Sequence, residues 1–385
     1  MLRLPGSRST SIRERLKDTM GSVVVIKLGS SVVATDAGRV RTEVLERICD
    51  DVSVLHQQGL EPIVVTSGAI ARGLGELGIL PAQRPRAVEE LQAASAVGQG
   101  KLYRVYDDLL SARGVPSAQV LLTFFDLSAR THYLNARQTL RKLLDWRVVP
   151  IINENDTTTT DEISFGDNDF LAAQVAILVG AERLLLLTNT DGVFSADPNS
   201  DPSAQLIGRI DDFQQLEQLR ITQTTSVLGS GGMRSKVVAA EMATAAGIPT
   251  VIANGQLTGT IVKVVGGEPL GTTFSAQEDR YSSFKLWLKY AKPVRGRVQV
   301  DAGAARALRD GGTSLLPVGV VEVEGAFEAG DAIEVLCGLE PVGKGISNYS
   351  ADELRKARGR RSAEVRELLP LAGDEAVHRD YFVLA

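Results

Sequence analysis

The sequence predicts an α/β protein built on a mostly parallel sheet, followed by a smaller β-rich domain. Three observations carry that reading. Short apolar runs of β-branched type alternate with helical patterns from Val23 to Ile252, the rhythm of a parallel sheet. Several of these runs empty into polar or glycine-bearing segments, and the carboxyl ends of strands are where such sheets place ligands. Near Lys292 the composition changes, and short strands with glycine-marked turns take over.

The first strand is Val23 to Leu28 (VVVIKL), with Lys27 near its end and Gly29, Ser30 and Ser31 after it. A lysine in such a run is costly unless its ammonium meets an anion at the strand's mouth or snorkels from an edge to solvent. Arg41 to Gln58 reads as an amphipathic helix ending at Gly59, and the strand Pro62 to Thr66 runs into Ser67-Gly68-Ala69-Ile70. That second exit delivers a hydroxyl and small residues at a helix start, where backbone N–H groups face an anion. A plain strand-to-helix turn uses the same residues.

Leu91 to Leu110 is helical, Pro116 to Leu122 is a strand, and Leu134 to Leu144 is a helix. The stretch Val148 to Asp169 (VVPIINENDTTTTDEISFGDND) comes next. Its strand, Val148 to Ile152, discharges into Asn153, Glu154, Asn155 and Asp156. Four threonines, Thr157 to Thr160, follow, and then Gly166, Asp167, Asn168 and Asp169, before a helix over Phe170 to Val179. The bland alternative is a solvated loop of Asx turns. Leu184 to Leu187 is a strand with the polar exit Thr188-Asn189-Thr190-Asp191-Gly192. Leu228 to Lys236 (LGSGGMRSK) opens a helix over Val237 to Ala246, and Pro249 to Ile252 is the strand after it. Glycines before a helix let amides approach phosphate, although no GxxxxGK[ST] loop occurs. Gly266 to Tyr281 is glycine-rich and polar; beyond it Val294 to Val300, Ser314 to Val323 and Asp331 to Leu336 read as strands.

Composition narrows the class. With 385 residues, 44% of them hydrophobic, the chain is long enough for two domains. A net charge of −5 advertises neither nucleic acid nor an anionic membrane. Two distant cysteines, Cys49 and Cys337, form no disulfide framework, which fits a reducing cytoplasm. No HExxH spacing exists, and no apolar run approaches the roughly 20 residues of a membrane span. Residues 1–21 read as a disordered extension without a signal-peptide core, and Met20 is an alternative start. In the C-terminal segment acidic and basic residues nearly balance; its basic run, Arg355 to Arg361, reads as a solvated helix face. His378-Arg379-Asp380 is a decoy for a protein-kinase loop, since the accompanying glycine-rich strand and DFG context are absent.

Taken together, VVIKLGSS (24–31), VTSGAIARG (65–73), YLNARQTL (133–140), PIINEND (150–156), FGDND (165–169), LLLLTNTDGVFSADP (184–198) and GSGGMRSK (229–236) resemble the amino-acid kinase family. Within it the resemblance narrows to the branch that phosphorylates the glutamate side chain. GISNYSADEL (345–354) lies in a segment similar to a PUA domain. The resemblance implies an α/β/α sandwich over residues 22–276, a linker over 277–293, and a PUA domain with C-terminal tail over 294–385. It implies ATP-dependent formation of γ-glutamyl phosphate, the first step of proline biosynthesis, with proline as feedback inhibitor and γ-glutamyl phosphate reductase as downstream partner. A homo-oligomer, dimer or tetramer, is also implied.

By motif, Lys27 and Lys236 correspond to phosphate-contacting lysines and Asp169 to the acid that holds them. Ser67, Asp156 and Asn168 correspond to glutamate-binding residues. Lys27, Thr188, Asn189, Ser230, Gly231, Gly232, Met233, Arg234, Ser235 and Lys236 correspond to ATP contacts. Asn189 stands where the family often has Asp, which leaves the adenosine contact there in doubt, and the threonine run is unusual for the family.

The chemistry is consistent with this. A glutamate carboxylate, which ordinarily titrates at about 4.3, is ionised at neutral pH and needs no general base to act as nucleophile. The obstacle is charge, which two lysines and Mg²⁺ would offset. Mg²⁺ would ride on the ATP phosphates with its waters, Asp167 or Asp169 reaching it through water. Two alternatives stay open: a sister kinase acting on acetylglutamate, aspartate, carbamate or uridylate, and an RNA-binding regulatory protein acting through the PUA segment.

Overall fold

The computed structural model describes residues 22–35, 37–123, 126–127, 130–158, 168–198, 200–211, 232–277, 285, 288–289, 292, 294–369 and 373–385. The expectations for residues 1–21, for most of the threonine loop and for most of the linker therefore lie outside the described residues. The chain divides into two units, Met1–Arg280 and Tyr281–Ala385.

In the first unit the elements follow as β1 (Val23–Leu28), α1 (Ser30–Val33), α2 (Thr42–Gln57), β2 (Glu61–Val65), α3 (Ala69–Glu76), α4 (Val88–Ser111) and β3 (Ser117–Leu122). Next come α5 (Arg130–Asp145), β4 (Val149–Glu154), α6 (Asn168–Val179), β5 (Arg183–Thr188) and β6 (Arg209–Ile210). The unit ends with α7 (Met233–Ala245), β7 (Thr250–Asn254), α8 (Thr260–Val265) and β8 (Thr272–Phe274). The strands form one eight-stranded sheet in the order β3-β4-β2-β1-β5-β7-β8-β6. The first six run parallel; β8 is antiparallel to β7, and β6 is parallel to β8.

Every residue of β1 is buried, as expected of a central parallel strand covered on both faces. Its register puts Lys27 opposite Val65 of β2 and Leu186 of β5, while Val65 stands opposite Ile152 of β4. The polar exits after β1, β2, β4 and β5 therefore sit side by side at one edge.

The helices supply the covering layers for physical reasons legible in their sequences. Val44, Leu45, Ile48, Cys49, Val52 and Leu55 make one buried stripe on α2, which joins Leu102, Tyr106 and Leu110 of α4 in the core. Helix α6 is apolar on nearly all sides and is buried accordingly, packed between α7 and the sheet. Helices α3 and α4 cross at glycine. A Cβ on Gly73 would lie 1.7 Å from the Ala94 carbonyl oxygen, and one on Gly98 would lie 2.0 Å from that of Ala69. No other residue permits so close a crossing.

Three expectations change. Within Gly266 to Tyr281 the chain forms β8, in which Thr272 is buried despite its polarity. Its hydroxyl donates to the Ile207 carbonyl at 2.6 Å and accepts from the Val193 amide at 2.8 Å. The strand expected over Ser314 to Val323 is shorter: Leu315 makes a single bridge to Val377, Pro317–Gly319 is a 3₁₀ turn, and the strand begins only at Val320. Pro317, lacking an amide hydrogen, starts that turn instead of extending a ladder. The basic run is not one helix face: the helix Ala351–Ala357 ends before it is complete, with Ala357 buried and Gly359 at φ +72°.

The second unit comprises β9 (Val294–Val300), α9 (Ala302–Gly311), β10 (Val320–Gly325), β11 (Ala332–Cys337), β12 (Glu340–Ser347), α10 (Ala351–Ala357), α11 (Ser362–Leu368) and β13 (Val377–Leu384). Its five-stranded sheet runs β10-β9-β11-β12-β13 over a separate core that includes Val298, Leu308, Ile333, Val335, Tyr349, Leu354 and Phe382. Ser350 and Glu353 cap α10 reciprocally, as their spacing dictates.

Candidate active site

Lys27 sits at the end of β1 and is 3% exposed; Asp169 opens α6 and is 0% exposed; Lys236 lies in the first turn of α7 and is 5% exposed. The Lys27 Nζ is 2.5 Å from Asp169 Oδ1, and the Lys236 Nζ is 3.1 Å from Oδ2. Ser235 adds a hydroxyl donated to the same Oδ2 at 2.7 Å. Burial alone would raise the Asp169 carboxyl. The ammonium groups of Lys236 and Lys27, with hydrogen bonds from Lys27 and Ser235, outweigh burial and hold it well below the usual carboxylate range. Two cations share one anion, so the cluster keeps a net positive charge at the sheet's carboxyl edge, where an anionic group would complete it.

The remaining candidates take up places around this edge. Gly68, at φ +99°, turns the chain from β2 into α3 and leaves Ser67 buried at the exit. Asn168 Nδ2 donates to the Ser67 Oγ at 3.2 Å, while Asn168 Oδ1 has no partner among the described residues. A buried acceptor left open is costly, and a ligand donor would satisfy it. Asp156, 7% exposed after β4, accepts a hydrogen bond at 2.5 Å from Ser95 of α4. Burial raises its carboxyl above the usual range, and the Ser95 hydrogen bond offsets part of that. Thr188 is buried at the end of β5, and Asn189 beside it is exposed. Gly232 caps α7, Met233 is half-buried, and Arg234 is exposed. Ser230, Gly231 and Asp167 lie outside the described residues.

Sequence reasoning missed Ser95 and Gln99, whose Oε1 accepts from Asn153 Nδ2 at 2.6 Å. The one signal was polar residues among the small ones of AASAVGQG, a pattern that also suits plain helix packing. Tyr106 was missed too; its hydroxyl pairs with the Thr66 Oγ1 at 2.7 Å and fixes the β2 exit from below. Among the described residues no cluster of three or more His, Cys, Asp or Glu is placed to hold a metal ion. Both oxygens of Asp169 are engaged by the lysines and Ser235, so the donor set does not fit a metal held directly there. No helix among the described residues is long and apolar enough to cross a membrane.

A mostly parallel α/β sheet with two buried lysines gathered on one carboxylate defines a protein that handles anionic, phosphate-bearing ligands. Residues 22–254 match the model of the amino acid kinase family, and residues 296–369 match that of the PUA domain. The chain belongs to the amino acid kinase family. It is 45% identical over 365 residues to a glutamate 5-kinase from Synechococcus sp. (strain JA-3-3Ab), covering 94% of this chain and 98% of that one. It is 44% identical over 367 residues to a glutamate 5-kinase from Chromohalobacter salexigens, covering 94% and 95%. Among solved structures, N-acetylglutamate synthase from Neisseria gonorrhoeae aligns with a TM-score of 0.51 at 17% identity. That alignment covers 69% of this chain and 62% of the synthase chain, and it speaks for the fold alone.

Proposed function

We propose that this chain transfers the γ-phosphoryl group of ATP to the side-chain carboxylate of L-glutamate, giving γ-glutamyl phosphate and ADP. The observation that carries the proposal is the buried Lys27–Asp169–Lys236 cluster at the carboxyl edge of the sheet. Near-full-length similarity to glutamate 5-kinases supports the choice of substrate.

In the reaction a glutamate side-chain oxygen attacks the γ-phosphorus, the new O–P bond forms, and the bond to the β,γ-bridging oxygen breaks. ADP leaves with the electron pair. No proton moves, because the nucleophile is already ionised. Lys27 and Lys236 hold positive charge against the transferring group, where a loose transition state spreads negative charge over the equatorial oxygens. Asp169 keeps the two ammonium groups from repelling one another apart, and Ser235 fixes the carboxylate's second oxygen. Thr188 and Asn189 at the end of β5, with 230–236 at the start of α7, would take the nucleotide. Bound with the ATP phosphates, Mg²⁺ would supply additional positive charge there.

Asp156 is the natural partner of the amino acid's α-ammonium. Ser67 and Asn168 supply a hydroxyl and an amide for its carboxylates. Proline, sharing the α-amino-acid portion, would compete at Asp156, and loss of inhibition in variants of Asp156 or Thr157 would follow. The product is a reactive mixed anhydride, so a reductase that consumes it promptly is the fitting downstream partner, and a homo-oligomer in the cytoplasm completes the reading.

The test is ATP turnover with L-glutamate in hydroxylamine, which traps γ-glutamyl phosphate as the hydroxamate, with Lys236→Ala as control. Hydroxamate from glutamate, absent with aspartate or acetylglutamate and lost in the variant, is the expected outcome. Turnover with another acceptor alone would move the chain to a sister activity.

A further inference from the structure

We infer that Ser95, on α4, is a positioning residue that keeps Asp156 ionised and aimed at the substrate's ammonium group, and so sets affinity for the amino acid without touching the phosphoryl transfer. The inference rests on the proposal that Asp156 receives that ammonium.

The geometry begins with the glycine crossing. Because Gly73 and Gly98 bring α3 and α4 to backbone contact, the residue after Ala94 is carried to the exit of β4. That residue is Ser95, 3% exposed, and its Oγ donates to Asp156 Oδ2 at 2.5 Å. Such a distance is that of a hydroxyl on an ionised carboxylate. Both residues line a cavity of about 250 Å³, together with Ala96, Gln99, Asn155 and Thr157. The space is large enough to accept an amino acid.

Electrostatics explains why the hydroxyl matters. Among the described residues, Glu154, on the same chain segment, is the other carboxylate lining the cavity; Gln99 from α4 and Leu121 from β3 face it, and no described lysine, arginine or histidine lines it. Burial pushes the Asp156 carboxyl up, and the Ser95 hydrogen bond is what lowers it. With that bond gone, the ionised form loses the directed donor that the described residues give it, and the carboxyl moves further up. A neutral Asp156 cannot pair with an ammonium ion. Ser95 therefore protects binding most where the pH approaches the raised value from above.

The test compares Ser95→Ala and Ser95→Thr with the full-length wild type. Ser95→Ala is expected to raise the KM for glutamate roughly tenfold, the scale of a lost hydrogen bond to a charged group. The kcat should stay within about twofold, because the lysine cluster is untouched. The KM increase should grow as pH falls, its midpoint displaced to higher pH than in the wild type, and Ser95→Thr should restore most of the wild-type profile. An elevated KM with an unchanged pH profile, or no recovery in Ser95→Thr, would make Ser95 a packing residue and overturn the inference.

A second readout separates this inference from the function it rests on. The Asp156 carboxyl can be titrated without substrate by ¹³C NMR, assigned by its disappearance in Asp156→Asn. If the wild type is silent with glutamate, the proposed function fails, and the carboxyl titration still decides whether Ser95 controls Asp156. An identical Asp156 titration in wild type and Ser95→Ala refutes the role outright.

Discussion

Replacing Asp169 with asparagine removes one negative charge from a place where two buried ammonium groups depend on it. The side chains of Lys27 and Lys236 are 4% and 6% exposed, at 2.5 and 3.1 Å from the carboxylate oxygens. Removing one member of a buried ion pair costs about 3–5 kcal/mol, because the other charge is left without compensation. Here two cations are stranded together, which puts Asp169→Asn at the upper end, about 5 kcal/mol. At about 2–4 °C per kcal/mol for a unit of this size, the melting temperature of the first unit should fall by roughly 10–20 °C.

The sign of the pH dependence follows from the same contacts. The Asp169 carboxyl is held below its usual range in the folded state, so its contribution is fully present above the unfolded value of about 3.9. It is lost as pH falls through the lower folded value. The gap between wild type and Asp169→Asn should be constant from neutral pH to about 5 and close as the solution is acidified below about 4. Differential scanning calorimetry across that range reads both quantities, and kcat/KM for ATP-dependent turnover should drop by at least about 10² because the lysines lose their fixed geometry. A variant melting within about 2–3 °C of wild type at neutral pH would show that the lysines do not need the carboxylate, and the electrostatic account of the cluster would fall.

Two further outcomes test the packing. Gly98→Ala would place its Cβ 2.0 Å from the Ala69 carbonyl oxygen and 2.4 Å from the Gly73 amide nitrogen, both backbone atoms that cannot swing aside. Helices α3 and α4 must separate, with a melting temperature lower by roughly 3–10 °C and a raised KM for glutamate as Ser95 withdraws; an unchanged melting temperature would mean that the crossing tolerates a side chain. Cys49 is buried on α2 and its thiol is pushed up to about 12 by burial, whereas Cys337 is only half-buried. A thiol reagent at mildly alkaline pH should modify Cys337 alone in the native chain and both cysteines in denaturant, and rapid native labelling of Cys49 would contradict the core described for α2.

The alternation of strands and helices was legible in the sequence alone, because burial on both faces demands continuous apolar runs such as Val23–Leu28, and those are visible one residue at a time. The same reading singled out Lys27, since a charged residue among apolar neighbours must find a partner, while Asp169 and Lys236 drew notice in a polar strand exit and a glycine-rich helix start and took their roles from the family resemblance. Apart from that resemblance, the residue pattern left open who meets whom. Lys27 and Asp169 lie far apart in the chain, and only the side-by-side placement of β1, β2, β4 and β5 brings their segments to one edge. Ser95 was invisible for the same reason: its partner Asp156 is 61 residues away, and the contact exists only because two glycines let helices α3 and α4 touch. The buried Thr272 illustrates the limit most simply. Its glycine-rich, polar surroundings gave no sign of a strand, and the Ile207 carbonyl and Val193 amide, supplied by tertiary structure, offset the cost of burying it. Local pattern records what each residue requires, and the folded chain decides which group meets the requirement.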